Sequence, residues 1–280
     1  MHLIHTSAEL RTALNNQPGT AYVPTMGNLH AGHVSLVELA KQHGQPVAAS
    51  IFVNPLQFGA GEDFERYPRT LTADCEKLEA AGCDIVFAPD AGEMYPVPQT
   101  YTVQPPPALA NDLCGASRPG HFSGMATGVL KLFNLVQPRV AVFGRKDFQQ
   151  LIVIRNMVRQ FNLPIEVVAG DTLREADGLA MSSRNGYLTQ VERAQAPGLY
   201  RELAALVEHL SQGEHAFDML AATARKRLKM AGWNVDYIEV RDAETLQPAS
   251  ESTRKQVVLG AAWLGKTRLI DNIEVLGKQP

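Results

Sequence analysis

Two histidines, three residues apart, stand where a predicted strand gives way to a predicted helix. His30 and His33 lie in the stretch VPTMGNLHAGHVSLVELA (residues 23–40), with Gly27 and Gly32 beside them. In α/β sheets, ligands bind beyond the carboxyl ends of the strands, where a helix N-terminus favours an anion. Imidazoles there can donate hydrogen bonds to a polyphosphate as its charge grows. Alone, the HxGH string is also compatible with an ordinary β-α turn.

Two further segments carry groups that suit phosphate. The stretch LAMSSRNGYLT (residues 179–189) sets the hydroxyls of Ser182 and Ser183 beside the guanidinium of Arg184, and such groups bind phosphate oxygens. In VFGRKDFQQL, Lys146 follows a predicted strand and brings a cation to the carboxyl edge of the sheet. Each string alone is also compatible with a solvated turn.

Uncharged amides indicate a site for a small polar organic molecule. In SIFVNPLQF, a buried-looking strand opens into Asn54 and Gln57 next to Phe58, and Gln149 and Gln150 begin a later predicted helix. Amides near an aromatic ring suit such a substrate. The segment GAGEDFERYP that follows Phe58 is compatible with a charged flap or with a plain exposed loop.

The elements that must position these groups alternate along the chain. Short apolar runs rich in β-branched residues alternate with amphipathic segments, which predicts an α/β fold with a Rossmann-like, doubly wound parallel sheet. The predicted strands are Ala21–Thr25, Val47–Val53, Asp84–Phe87, Val140–Phe143 and Ile165–Val168. The predicted helices are Ser7–Gln17 with Ser7 as the N-cap, His33–His43, Thr70–Ala81, Gly124–Val136 and Phe148–Phe161.

Two stretches depart from this alternation. The prolines of Pro89–Pro119 predict a loop-rich segment with one short strand at Tyr101–Val103. Further on, a helical region over Val191–Met230 is followed by three strand-like segments, 235–242, 256–265 and 267–275. We therefore predict a nucleotide- and substrate-binding domain over 1–173 and a smaller α+β domain over 178–280, which would act as a lid that excludes water.

Composition favours small-molecule partners. The 280 residues include 26 basic and 29 acidic ones, a balance that argues against a nucleic-acid binder. The three cysteines, Cys75, Cys83 and Cys114, lack C-x-x-C spacing, which predicts reduced thiols in a cytoplasmic protein and no zinc site. No signal-peptide pattern opens the sequence, and no run of some 18 apolar residues suggests a membrane span.

Six segments, taken in order, resemble the pantothenate synthetase (pantoate-β-alanine ligase) family of HIGH-type nucleotidyltransferases. They are PTMGNLHAGH, SIFVNPLQF, RPGHFSGMATGV, VFGRKDFQQL, DGLAMSSRNGYLT and LIDNIE, and they span nearly all of the chain. The resemblance implies a homodimeric enzyme that uses ATP and Mg²⁺. It implies that pantoate is first converted to an enzyme-bound adenylate with release of pyrophosphate, and that β-alanine then displaces AMP.

The resemblance also implies roles for individual residues. His33 would be the proton donor, and Gln57 and Gln150 would hold pantoate, with Gln57 also near β-alanine and Asn54 at the same pocket. The residues implied to act directly on the phosphates are His30, His33, Lys146, Ser182, Ser183 and Arg184. The residues implied to surround ATP are Met26, Gly27, Asn28, Leu29, His30, Ala31, Gly32, His33, Gly144, Arg145, Lys146, Asp147, Leu173, Met181, Ser182, Ser183 and Arg184.

Two residues depart from the family pattern, and two other functions stay open. Ala31 stands where an acidic residue is frequent, and we expect it to face solvent; Arg145 stands where glutamate is usual, beside Lys146. A cytidylyltransferase-like enzyme of the same superfamily and a non-catalytic nucleotide sensor are the alternatives. An aminoacyl-tRNA synthetase fragment is disfavoured, because the acidic chain has no basic tRNA-binding domain.

Overall fold

The computed structural model describes residues 1–275, which divide into two compact units. The first unit contains Met1–Gly144 and Val153–Asp171, and the second contains Arg145–Ile152 and the chain from Thr172 onward. The domain boundary at Leu173–Gly178 stays a prediction, and the compact units differ from it by grouping Arg145–Ile152 with the second unit. The end of the predicted second domain, 276–280, lies outside the described residues.

The strands of the first unit form one parallel sheet. They are β1 (His2–Ile4), β2 (Ala21–Thr25), β3 (Val47–Ile51), β4 (Ile85–Phe87), β5 (Val140–Gly144) and β6 (Glu166–Gly170). They pair in the order β1-β4-β3-β2-β5-β6, and each pair is parallel. The α/β prediction is confirmed. The sequence does not reveal β1, since three residues are too few to show a period.

Helices lie on both faces of this sheet. They are α1 (Ser7–Leu14), α2 (Ala31–His43), α3 (Leu71–Ala80), α4 (Ala91–Met94), α5 (Pro107–Ala110), α6 (Cys114–Ser117), α7 (His121–Val136) and α8 (Phe148–Gln160). Successive residues of a strand point to opposite faces. Val23 of β2 packs in one core cluster with Val37 and Leu78 of α2 and α3, whereas Tyr22 contacts Phe133 of α7, with ring centroids 6.5 Å apart.

The start and the end of α1 differ from the prediction. Thr6, rather than Ser7, is the N-cap: its hydroxyl accepts from the Glu9 N–H at 3.3 Å, and the Glu9 carboxylate accepts from the Thr6 N–H at 3.2 Å. This reciprocal pair is a capping box. The helix ends at Leu14, so the predicted extension to Gln17 is wrong.

The proline-rich stretch also corrects a prediction. Tyr101–Val103 is not a strand, because α7 takes the backbone bonds that a neighbouring strand would make. The Val103 N–H donates to Thr127 Oγ1 at 2.9 Å, and the Val103 carbonyl accepts from Ser123 Oγ at 2.8 Å. Around it, the stretch forms the three short helices α4, α5 and α6.

The second unit is a small α+β structure, as predicted. Its elements are α9 (Gln190–Gln195), α10 (Gly198–Ser211), α11 (Phe217–Met230), β7 (Asn234–Asp242), β8 (Gln256–Leu264) and β9 (Thr267–Val275). The three strands form an antiparallel sheet in the order β7-β8-β9. Leu199 and Leu203 of α10 and Leu228 of α11 pack on Ile238 and Val258 of the sheet. None of the helices between residues 1 and 275 is long and apolar enough to cross a membrane.

Candidate active site

β2 and β5 lie side by side where the strand order reverses. From β2 the sheet continues through β3 and β4 on one side, and from β5 it continues to β6 on the other. Open α/β sheets bind ligands outside the carboxyl ends of the strands at such a point. β2 ends at Thr25 and β5 at Gly144. The HxGH turn therefore leaves β2 at this switch point, beside the carboxyl end of β5.

The start of α2 fixes both imidazole rings. His30 is the N-cap residue, and its Nδ1 accepts from the Gly32 N–H at 3.1 Å, while His33 Nδ1 accepts from the His30 N–H at 3.3 Å. The ring centroids are 4.1 Å apart. Because both Nδ1 atoms accept, each neutral ring carries its proton on Nε2. The local fold thus makes Nε2–H the donor of both histidines.

Several backbone amides of the HxGH turn bond to groups within the first unit. The Gly27 N–H donates to Thr25 Oγ1 at 3.3 Å, and the N–H groups of Asn28 and Leu29 each donate to the Asp74 carboxylate at 2.8 Å. Asn28 and Leu29 were expected to lie around ATP, and in this structure the Asp74 carboxylate accepts from the N–H groups of both. Sequence reasoning missed Asp74, since one acidic residue in a helix carries no motif.

The turn after β3 brings a predicted substrate residue to the HxGH turn. Gln57 ends the short 3₁₀ helix Pro55–Gln57. Its Nε2 donates to Sδ of Met26 at 3.0 Å, so the two turns that follow β2 and β3 touch. The pairing of β2 with β3 explains this contact, because the carboxyl ends of parallel neighbours share one edge.

Asn54 is buried, and its amide holds this 3₁₀ helix. Nδ2 donates to the Gly124 carbonyl at 3.0 Å and to Gln57 Oε1 at 3.2 Å. Oδ1 accepts from the Leu56 N–H at 3.1 Å and from the Tyr95 hydroxyl at 2.8 Å. All four hydrogen-bonding positions of the amide are thereby used. A Cβ atom at Gly124 would overlap the Leu56 carbonyl, so this close packing requires glycine.

A charged network, which sequence reasoning also missed, ties the following loop to Gln57. Arg118 donates to the Glu62 carboxylate at 3.0 and 2.5 Å. His121 Nδ1 lies 2.7 Å from the Gln57 carbonyl and must donate to it, so His121 Nε2 accepts from Arg118 at 3.0 Å. Burial raises the pKa of Glu62, but the hydrogen bond and charge of Arg118 outweigh it and bring the pKa below its usual value.

In the second unit, β9 holds the segment that carries Lys146. Asn272 is buried, and its Nδ2 donates to the carbonyls of Arg145 and Lys146 at 2.9 and 2.8 Å. The Arg145 guanidinium pairs with Glu274 of the same strand. The Lys146 ammonium lies 3.8 Å from Asp147, and its side chain is 19% exposed. Arg145, which departs from the family pattern, therefore has an acidic partner in Glu274, two residues beyond Asn272.

The neighbouring residue of β9 holds the segment that leads to Ser182. Asp271 accepts two bonds from Arg174, at 2.7 and 2.9 Å, and Arg174 belongs to a tight hairpin. In this hairpin the Met181 N–H donates to the Leu173 carbonyl at 3.0 Å. The motif LIDNIE thus joins two of the predicted phosphate-binding segments within the second unit, a role that its sequence does not show.

Ser182 caps a short 3₁₀ helix that carries the rest of its motif. Its hydroxyl accepts from the Arg184 N–H at 3.3 Å, and Ser183–Tyr187 forms the helix. Of the other predicted residues, Ala31 and Leu173 are exposed, Gln150 is partly buried, and Gln149 is buried. The exposure of Ala31 confirms the expectation for that residue.

Other reactive groups lie outside this arrangement. The three cysteines are thiols, and burial raises the pKa of Cys83 to about 12, which makes it a poor nucleophile. Within residues 1–275, no group of three histidine, cysteine or acidic side chains is placed to hold a metal ion.

The sequence and the fold match known proteins along the whole described chain. The family model described as Pantoate-beta-alanine ligase matches residues 2–274. The chain belongs to the pantoate-β-alanine ligase family. A pantothenate synthetase of Thiobacillus denitrificans is 70% identical over 275 residues, which cover 98% of this chain and 97% of that protein.

Solved structures of the pantoate-β-alanine ligase family have the same fold. A pantothenate synthetase from Thermus thermophilus is 47% identical, with a TM-score of 0.94 over 99% of this chain and 100% of that one. A pantoate-β-alanine ligase from Francisella tularensis, described as complexed with β-γ ATP and β-alanine, is 32% identical, with a TM-score of 0.81 over 98% and 97% of the chains. Family membership favours the ligase over the cytidylyltransferase-like alternative.

Proposed function

We propose that this chain joins pantoate to β-alanine through an enzyme-bound pantoyl adenylate. A carboxylate oxygen of pantoate attacks the α-phosphorus of ATP, and pyrophosphate leaves. The amine of β-alanine then attacks the acyl carbon and loses a proton. AMP is the leaving group, and the product is pantothenate. The observation that carries this proposal is the HxGH turn at the β2/β5 switch point, where two adjacent rings each have Nε2–H as their donor.

His30 and His33 act on the departing phosphates in this proposal. Negative charge grows on pyrophosphate as the bond to the α-phosphorus breaks, and a donor fixed beforehand stabilises that charge without reorganisation. The hydrogen bonds at Nδ1 hold each ring in the donor tautomer.

Pantoate and β-alanine bind beside this turn through amides. Gln57, with its contact to Met26, is the best-supported ligand for pantoate and for β-alanine. Gln150 is the second amide for pantoate. Asn54 uses all four positions of its amide within the protein and therefore acts in this proposal by positioning Gln57.

The remaining phosphate ligands come from segments held by β9. Lys146 would bind phosphate oxygens, and Leu173 would lie against the adenine. The hydroxyls of Ser182 and Ser183 and the guanidinium of Arg184 would close over the phosphates as a lid. Asp271 accepts from Arg174 of the segment that leads to Ser182, and the adjacent Asn272 donates to the segment that carries Lys146. These neighbouring contacts support a common task for the two segments.

Mg²⁺, dimerisation and location complete the proposal. Mg²⁺ would shield the triphosphate charge, and since it keeps several waters and binds substrate phosphates, it needs no protein cage of three ligands. The family resemblance supports a homodimer, and three thiols support a cytoplasmic location.

Isotope transfer tests the adenylate route. With pantoate labelled by ¹⁸O in its carboxylate, one labelled oxygen should appear in the phosphate of AMP, and pyrophosphate should carry none. CTP in place of ATP should give little pyrophosphate. Formation of ADP, with the label in inorganic phosphate, would contradict the proposal.

A further inference from the structure

A buried carboxylate and an ammonium of α3 both bond to the backbone of the HxGH turn, and we call these contacts the grip. Asp74 has no exposed surface, and it accepts from the N–H groups of Asn28 and Leu29 at 2.8 Å and from Thr70 Oγ1 at 2.9 Å. Three residues further along α3, Lys77 Nζ donates to the Leu29 carbonyl at 2.7 Å. One turn of a helix thus bonds both the amide donors and a carbonyl acceptor of this single turn.

The backbone held in this way adopts a conformation that needs support. Gly27 has φ +84° and Asn28 has φ +51°, and a non-glycine residue in this region is uncommon. A Cβ atom at Gly27 would lie 3.1 Å from Asp74 Oδ2. A buried carboxylate is stable only when it is well hydrogen-bonded, and its three donors meet that requirement. Turn and carboxylate therefore fix each other.

We propose that Asp74 and Lys77 are positioning residues for phosphate binding by the HxGH turn. They hold Gly27–Leu29 so that α2 begins at a fixed place and His30 and His33 present Nε2–H in one direction. By taking the amides of Asn28 and Leu29, Asp74 also reserves phosphate binding for the imidazoles. This inference rests on the proposed role of the two histidines at ATP.

The variant Asp74→Asn tests the grip with almost no change of shape. The new amide accepts from one backbone N–H but turns its own N–H₂ toward the other, so the turn must shift. A shift of about 1 Å can cost on the order of 100-fold in rate. We expect kcat to fall about 10- to 100-fold and the KM for ATP to rise at least about tenfold, with the KM for β-alanine nearly unchanged.

Asp84→Asn is the control. Asp84 also accepts a backbone N–H, from Val47 at 2.8 Å, but it is exposed and lies where β3 and β4 begin, at the opposite edge of the sheet. A purely structural role of Asp74 would lower the thermal midpoint in Asp74→Asn, as in the control, and leave the KM for ATP unchanged. That result would overturn the inference.

Lys77→Met keeps the inference testable if Asp74→Asn does not fold. Lys77 is exposed except at its bond to Leu29, so this variant should fold, and the KM for ATP should rise about three- to tenfold. An unchanged KM for ATP in Lys77→Met would exclude Lys77 from the grip. His33→Ala distinguishes the two proposals: full turnover of this variant would reject the histidine role, whereas normal ATP kinetics in Asp74→Asn alone would reject only the grip.

Discussion

The turns that follow β2 and β5 are held in physically different ways. The first is held by charge: the carboxylate of Asp74 accepts two of its amides, and the ammonium of Lys77 donates to a carbonyl. The second is held by a neutral amide: Asn272 donates to the carbonyls of Arg145 and Lys146. The contacts to the first turn therefore occupy two N–H donors and one carbonyl acceptor, whereas those to the second occupy only carbonyl acceptors.

This difference determines what each turn can offer to an anion. In the proposed site, the imidazole rings of the first turn, and not its Asn28 and Leu29 amides, donate to phosphate. In the second, Asn272 leaves the backbone N–H side untouched and fixes the base of the Lys146 side chain. An orphaned buried N–H costs more than a carbonyl that loses one of its bonds, so the first turn should be more sensitive to mutation.

The largest effect is expected when the ammonium of the second turn is removed while the backbone bonds that position the turn are kept. Lys146→Ala removes the ammonium but keeps the backbone bonds to Asn272, so the rate of pyrophosphate release should fall about 100-fold or more. The thermal midpoint should change little. Lys255→Ala, which removes an exposed lysine paired with Glu244, is the control and should retain full rate. A normal rate in Lys146→Ala would remove Lys146 from the phosphate site.

A smaller effect is expected when the hydrogen bonds from the Asn272 amide are removed. Asn272→Ala should lower the free energy of unfolding by about 1–2 kcal/mol, since two carbonyls lose a donor, and raise the KM for ATP severalfold. Asn272→Asp should be worse, because a carboxylate would face two carbonyl oxygens. Urea unfolding and initial rates measure both quantities. Wild-type stability in both variants would show that these bonds contribute little.

The exposed ion pair of the second turn should matter less still. Both Arg145 and Glu274 are about one-third exposed, with 37% and 35% exposure, so solvent screens their attraction. Arg145→Glu should cost about 0.5–1 kcal/mol of unfolding free energy. Adding Glu274→Arg should restore it. A large change in the KM for ATP that Glu274→Arg fails to reverse would show that Arg145 itself acts on the nucleotide.

The stabilisation that ion pairs provide should also depend on pH, and the pair of Glu62 with Arg118 offers a measurable case. Its pKa is lower in the folded protein, because the bonds from Arg118 outweigh burial. Its contribution to stability is therefore complete above its unfolded pKa of about 4.3 and is lost as the pH falls through the lower folded value. Hydrogen-exchange protection of residues 59–65 should fall below about pH 4 in the wild type. Glu62→Gln should lack that transition, and an identical transition in Glu62→Gln would exclude the pair as its cause.

The sequence predicts the bounds of a regular element well where turn residues clearly flank its apolar run. β2 and β9 begin and end where predicted, because their apolar runs are flanked by clear turn residues. Tyr101–Val103 fails because a β-like composition cannot tell which partner will take the backbone bonds. There, two hydroxyls of α7 take the place of a strand.

The residues of the candidate site that carry motifs could be selected from the sequence, but those that hold them could not. His30 and Lys146 stand in recognisable strings at strand ends. Asp74, Arg118 and Asn272 act on segments 45 to 127 residues away in the chain. Such partners depend on which strands become neighbours, and single-sequence patterns contain no such information.

The most direct test of the account is a crystal structure of the wild-type chain with ATP and pantoate. We predict that Nε2 of His30 and of His33 lies within hydrogen-bond distance of phosphate oxygens while the amides of Asn28 and Leu29 remain on Asp74. Amides turned away from Asp74 onto the phosphates, with the imidazoles directed elsewhere, would contradict it.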